Sequence, residues 1–158
     1  MASMHKRVRI NVGPSRQYLP GVLGLERSES LLKDADDFLG AARDLLVTGR
    51  WAKVCFNCQQ AAELALKAAL NSLGLEIRGH DLSLLLGDLA SYEPDIKPFS
   101  DAARRLDQYY IPTRYANAFY SGSAMEHYTQ AQASEAVEQA QNILEACRRI
   151  VAKREAQS

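Results

Sequence analysis

The feature that most constrains this chain is a stretch from Trp51 to Leu73 that contains neither glycine nor proline. Its alanine- and leucine-rich composition strongly favours a helix. Apart from Gln59, its polar residues recur every three or four positions, at Lys53, Asn57, Gln60, Glu63, Lys67 and Asn71. They fall in one narrow stripe, which leaves most of the circumference of the helix apolar. A helix of this kind must be buried against several others. We therefore predict that it is the central helix of a bundle.

Four further helices are predicted around it. The first runs from about Ser28 to Thr48 and ends at Gly49. Its connection to the central helix is short, so the two helices should be antiparallel neighbours. Gly74 should end the central helix. After a loop over 75–81, a short leucine-rich helix is capped by Asp81 or Ser83. The others run from Phe99 to Tyr110, before Pro112, and from a Thr129–Gln132 capping box almost to the C terminus. No strand pair is expected. The predicted fold is all-α, an up-and-down antiparallel bundle of about five helices, four of them long.

The charge of the chain is unevenly distributed. The formal net charge is zero, yet residues 1–25 contain four basic residues and no acidic one. We expect residues 1–25 to form a basic extended arm and residues 26–158 to form the bundle domain. The arm either contacts nucleic acid or docks on an acidic neighbour, with simple mobility as a third possibility. No apolar run suits a bilayer and no secretory signal is recognisable, so a cytoplasmic protein is expected.

Two kinds of site receive no support from the sequence. Cys55 and Cys58 match half of a zinc site, but no second pair of ligands follows at a suitable spacing, so buried thiols are expected for these residues and Cys147. The sequence also contains no phosphate-binding glycine loop, no nucleophile elbow and no paired-carboxylate or helical histidine metal motif. No metal or other cofactor is predicted.

The segment from 112 to 128 is the predicted location of function. It is aromatic and lacks helical periodicity, and a tyrosine-rich loop on a helical bundle is a typical place for binding residues. Arg114 would bind a phosphate through its guanidinium group, while Tyr110 and Tyr115 would offer ring faces to a base. The alternative is structural: the rings cover one end of the bundle and Arg114 bonds the last carbonyl groups of the preceding helix.

Two histidines and one lysine complete the candidates. His80 would either act as a phosphate ligand or proton carrier beside Arg114, or bond backbone groups before the short helix. His127 is a weaker candidate for the same role. Glu63 and Lys67 have the spacing of an ion pair on a helix surface.

Taken together, these landmarks resemble the HEPN family, the nucleotide-binding domain of higher eukaryotes and prokaryotes. The residues that carry the resemblance are Cys55–Leu70, His80 with the leucines that follow, Tyr110 with Arg114-Tyr115, and the final helix. The run Gln59-Gln60-Ala61-Ala62-Glu63 is its most specific part. The similarity covers about residues 28–153. It implies an up-and-down helical bundle that is usually a homodimer with a cleft between helices or protomers.

The resemblance also implies two kinds of function. Many relatives act as partners of small nucleotidyltransferases. Others are metal-independent ribonucleases, including toxins of toxin–antitoxin pairs, and use an Arg-x(4–6)-His motif. Here the positions where that histidine would fall after Arg114 are Phe119, Tyr120 and Ser121, and Ala116-Asn117 replace a common Pro-Asp.

We therefore expect a homodimer that binds a nucleotide or a nucleic-acid end, partners a nucleotidyltransferase and is not an enzyme alone. A ribonuclease that uses Arg114 with His80 or His127 and a ligand-free dimeric scaffold remain alternatives. The predicted ligand-binding residues are Arg114, Tyr115, Tyr110, His80, Lys67 and Asn117.

Overall fold

The computed structural model describes residues 16–18, 21–110, 119 and 121–158. Within these residues the chain forms five α-helices, two short 3-10 helices and a pair of three-residue strands, and the predicted all-α bundle is confirmed. Three of the α-helices are long and two are short, rather than the four long helices predicted. The elements are β1 Arg16–Tyr18, α1 Gly21–Thr48, α2 Trp51–Ser72, β2 Leu75–Ile77, α3 Leu82–Ala90, α4 Ser100–Asp107 and α5 Gln130–Ala156, with 3-10 helices at Pro94–Phe99 and Ala124–His127.

Helix α2 is the centre of the core, as its sequence predicts. It packs mainly against α1 and α5, and α3 and α4 cover the remainder. Ala61, Ala62 and Ala65 are fully buried on α2, and small residues at these contacts let the neighbouring helices approach closely. The polar stripe of α2 is not a solvated face throughout, because Glu63 and Asn71 are both buried. None of the helices in the described part of the chain has the length and apolar composition needed to cross a membrane.

Helix α1 begins seven residues earlier than the sequence predicts. Residues 21–25, which the sequence assigned to the arm, form its first turn, and residues 1–15 of the arm lie outside the described residues. Gly24 permits a close approach between helices, because a Cβ atom there would collide with the backbone oxygen of Asn71 on α2. One turn later, the buried hydroxyl of Ser28 donates a hydrogen bond to the carbonyl oxygen of Ala68 at 2.7 Å. Helices α1 and α2 are therefore in near-backbone contact at this end.

The strand pair corrects the prediction of a loop over 75–81 and of a bundle without strands. Strands β1 and β2 are antiparallel, with Gln17 opposite Glu76. Leu75 and Ile77 are buried while Glu76 between them is half-buried, which is the alternation of a strand. Three residues are too few for a periodicity signal, and the partner strand lies far away in the sequence. The pairing joins the chain that leaves α2 to the segment that precedes α1.

Hydrogen bonds at the helix ends confirm two predicted caps and refine a third. Gly74 takes a positive φ of 80° after α2, and the capping box of Thr129 and Gln132 begins α5. Asp81, not Ser83, caps α3 by accepting a hydrogen bond from the backbone nitrogen of Leu84 at 3.0 Å. Ser83 instead donates to the carboxylate of Asp107 at 2.6 Å, which fastens the start of α3 to the end of α4.

We expect Gly24→Ala to destabilise the protein by about 1–3 kcal/mol, because the added methyl group would force the backbones of α1 and α2 apart. The matched control is Gly40→Ala in the same helix, where an added Cβ atom meets nothing within 4 Å. That change should stabilise the protein by about 0.5–1 kcal/mol through helix propensity. Urea denaturation followed by circular dichroism measures both. Equal effects of the two substitutions would contradict the close approach at Gly24.

Candidate functional site

A buried carboxylate, that of Glu63, organises the polar residues of α2. Its side chain is only 4 % exposed, and one oxygen, Oε1, lies 2.9 Å from Lys67 Nζ and 3.0 Å from His80 Nδ1. The second oxygen, Oε2, accepts longer hydrogen bonds from the amides of Gln59 and Gln60, at 3.4 and 3.3 Å. A carboxylate withdrawn from water needs such donors to compensate for its lost hydration. Glu63 is therefore a buried hub, rather than one half of a surface ion pair.

The two glutamines connect this hub to the loop before α3. Gln60 donates to the side-chain oxygen of Gln59 at 2.7 Å, and the fully buried Gln59 donates to the backbone oxygen of His80 at 3.1 Å. The loop is consequently held by hydrogen bonds to both its backbone and its histidine ring. The sequence predicts an ion pair between Glu63 and Lys67, and the run from Gln59 to Glu63 is the most specific part of the family resemblance. The sequence does not indicate that both glutamines donate to Glu63.

His80 is held in one orientation by two contacts. The Glu63 carboxylate can only accept, so the Nδ1 atom of His80 carries the hydrogen of their 3.0 Å contact. The ring also stacks on Tyr110, with centroids 4.7 Å apart and planes inclined by 15°. The side chain remains 55 % exposed, and its Nε2 atom makes no hydrogen bond to the described residues. This arrangement presents one imidazole nitrogen to solvent and does not serve to bond backbone groups before α3.

The predicted site residues fall into three groups. Lys67, His80 and Tyr110 are brought together around Glu63. Arg114, Tyr115 and Asn117 lie outside the described residues, so their proposed roles stay predictions. Tyr110 is the last described residue before 111–118, and its ring stacks on His80.

His127 belongs to a different cluster. Its ring stacks on Phe119 with centroids 3.9 Å apart, and its Nε2 atom donates to the carbonyl oxygen of Ser121 at 2.5 Å. Tyr128 contacts both Phe119 and Tyr109 edge-on, and burial raises the pKa of Tyr109 and of Tyr128 to about 12. Among the described residues no contact links His127 to Glu63. Of these rings, Tyr109 and Tyr128 are partly buried against the hydrophobic core.

The three cysteines are buried thiols, as predicted. Cys55, Cys58 and Cys147 are all inaccessible to solvent and none forms a disulfide. Burial raises the pKa of Cys55 to about 12 and shifts the pKa values of Cys58 and Cys147 in the same direction. Since the thiolate is the form that binds metals and attacks electrophiles, these thiols are unreactive in the folded protein.

Comparison with known proteins gives this arrangement a family. The model of the HEPN domain matches residues 28–150. The chain belongs to the HEPN family. The match spans α2, the His80 loop and nearly all of α5, so the Glu63 cluster lies within the HEPN domain itself.

Solved structures agree with this assignment. TT1696 from Thermus thermophilus is 39 % identical to this HEPN chain, with a TM-score of 0.73 over 81 % of this chain and 98 % of that one. ST0689, an archaeal HEPN homologue, is 34 % identical with a TM-score of 0.67 over 78 % and 97 % of the two chains. A Methanocaldococcus jannaschii protein named "Putative toxin MJ1304" is 24 % identical over 77 % of this chain and 86 % of its own. The fold and the family are therefore shared across bacteria and archaea.

Substitution of the hub should cost more stability than substitution of an exposed acid in a similar pair. We expect Glu63→Gln to destabilise the protein by about 2 kcal/mol, because it removes the charge that pairs with Lys67 and replaces one of the two acceptor oxygens with an NH2 group that faces other donors. The control is Asp101→Asn, whose 3.0 Å pair with Arg104 is largely exposed and should contribute less than about 0.5 kcal/mol. Thermal and urea unfolding compare the two variants. A loss no larger for Glu63→Gln than for Asp101→Asn would show that the hub does not stabilise the fold.

The cysteines give a second expectation, concerning pH. Because the folded protein holds the pKa of Cys55 at about 12, above the ordinary value of 9.0, the unfolded chain ionises first as pH rises. Stability should then fall as pH increases above about 9 and should be insensitive to the thiols below it. A Cys55→Ala variant should lose part of this alkaline decline in denaturation measured between pH 8 and 10.5. In the native protein, a disulfide reagent should react with the three thiols only at the rate of unfolding.

Proposed function

We propose that this HEPN protein binds a nucleotide or a nucleic-acid end at the surface formed by Lys67, His80 and Tyr110, together with Arg114 from the following segment. The observation that supports this best is the fixed His80 ring. Its Nδ1 atom is committed to Glu63 and its Nε2 atom is open to solvent. In its imidazolium form the oriented His80 ring would donate from Nε2 to a phosphate group, and the ammonium group of Lys67 and the guanidinium group of Arg114 would be further donors.

The aromatic residues support the nucleic-acid part of the proposal. Tyr110 already stacks on an exposed imidazole ring, and a nucleobase can extend such a stack because every base offers a flat π-face. In the sequence, Tyr115 and Asn117 follow Arg114 closely and would supply another ring and an amide. We propose that the protein acts as a homodimer and as the partner subunit of a small nucleotidyltransferase, on the strength of its HEPN membership.

RNA cleavage without a metal is the second candidate function. One specific observation favours it: the Glu63–His80 contact is the geometry in which a carboxylate orients a histidine for proton transfer. In such a reaction His80 Nε2 would take the proton of a ribose 2′-hydroxyl group as that oxygen attacks phosphorus. The bond between phosphorus and the 5′-oxygen breaks as that oxygen takes a proton from a solvent water, and a 2′,3′-cyclic phosphate remains. The relative named as a toxin is compatible with this activity, while the missing histidine at 119–121 argues for binding alone.

Binding of short fluorescent RNA, measured by anisotropy without divalent metal, tests the proposal. His80→Ala and Arg114→Ala should each weaken binding about tenfold or more, since each removes a phosphate ligand. Arg104→Ala removes an exposed arginine outside the cluster and should leave the affinity within about twofold. Gel analysis of the same samples reports cleavage, and light scattering reports the oligomeric state.

The outcomes separate the two functions. Binding that depends on His80 and Arg114, without cleavage, supports the first. Cleavage lost in both variants supports the ribonuclease and rejects a purely binding role. Wild-type protein that binds neither RNA nor a nucleoside triphosphate leaves only a scaffold role.

A further inference from the structure

Next to the Glu63 cluster, a cavity of about 290 Å³ opens between α1, α2 and the β2 strand. Its charged lining consists of Arg27, Lys67, Glu76 and Arg78, three cations against one carboxylate. Glu76 is engaged by Arg27 at 2.7 Å, and Lys67 is engaged by Glu63. Arg78 forms no ion pair with any described residue and its side chain is exposed. The excess charge of the cavity is therefore positive and is carried mainly by Arg78.

The wall of this cavity also contains an unexplained buried amide. Asn71 is only 4 % exposed, and its side-chain oxygen has no hydrogen-bond partner in the described structure. Leaving such a group unpaired typically costs about 1–3 kcal/mol. The amide lies on α2, whose other buried residues are mostly apolar. A polar group kept unsatisfied beside a positively charged cavity suggests that a ligand completes its hydrogen bonding.

The cavity and the His80 site are contiguous. Lys67 lines the cavity, and its ammonium group shares the Glu63 Oε1 atom with the His80 ring. Gly79, the residue before His80, is also part of the cavity wall. A ligand group held in the cavity would consequently lie beside the open imidazole. The remaining wall is apolar, from Leu31, Leu64 and Ile77, which restricts the polar contacts to one side.

We infer that this cavity binds the terminal phosphate of a nucleotide or of an RNA end, with Arg78 and Lys67 as donors to the phosphate and the Asn71 oxygen as an acceptor for the adjoining ribose. The inference rests on the proposed function and specifies its substrate class. A volume at the lower limit of ligand pockets, about 300–1,000 Å³, suits a phosphate with part of one ribose. A terminal phosphate carries a larger negative charge than an internal phosphodiester, and a ribose hydroxyl group can donate to the Asn71 oxygen.

The test compares one RNA sequence with a 5′-phosphate, a 3′-phosphate or hydroxyl groups at both ends, and adenosine monophosphate as a competitor. Wild-type protein should bind one phosphorylated RNA about tenfold more tightly than the hydroxyl form. Arg78→Ala should abolish this preference, and Arg104→Ala should retain it. Competition by the mononucleotide at a similar affinity would identify a free nucleotide as sufficient, and its absence would identify an RNA end.

Asn71→Leu provides a readout that a structural role would not produce. It should leave the protein equally or more stable in urea, because the unpaired oxygen is removed, yet reduce the preference for a terminal phosphate at least threefold. If the wild-type protein binds all three RNAs equally while His80→Ala still weakens binding, the cavity assignment is wrong and the proposed function stands. If no RNA or nucleotide binds, both fail.

Discussion

The buried carboxylate of Glu63 is the interaction on which the rest of the polar architecture depends. Four side chains donate to it, from two consecutive glutamines, from Lys67 and from His80. A carboxylate at this depth is costly unless its donors are complete, so the helix and the loop before α3 must keep their relative positions. The hydrogen bonds that compensate for the buried charge therefore also orient the imidazole ring of His80. One network thus stabilises the fold and positions a candidate binding residue.

The helices around this network pack closely because the residues at their contacts are small. Alanines dominate the contact surface of α2, which lets α1 and α5 pack close to its backbone. Gly24 extends this principle to the end of α1, where the backbones are nearly in contact. Close packing on both sides leaves the polar edge of α2 as the place where a ligand can reach the helix. The cavity at Asn71 and the His80 surface both lie along this edge.

Much of the architecture could be predicted from sequence because it depends on local signals. Periodicity located the helices, Gly74 and the Thr129–Gln132 box marked two boundaries, and the family resemblance agreed with the pattern. The start of α1 and the strand pair could not be predicted, since Gly24 and Arg16–Tyr18 act through residues about 50 positions or more away. A glycine has the same appearance in a sequence whether it makes a turn or admits a neighbouring backbone.

For the site, the division is similar. The sequence by itself determined that α2 is central and apolar, that its thiols are buried, and that His80, Lys67 and Tyr110 are candidates. Only the tertiary structure decided that Glu63 is buried and joins these residues, because the burial of a helical carboxylate depends on what packs against it. Stripe residues that look alike in sequence differ in this fold: Lys67 reaches a cavity, Asn71 lies buried with an unpaired oxygen, and Glu63 is the acceptor for the whole cluster. The chemical groups of the side chains follow from the sequence, whereas their solvent exposure and hydrogen-bond partners depend on how α1, α2 and the β2 segment pack together.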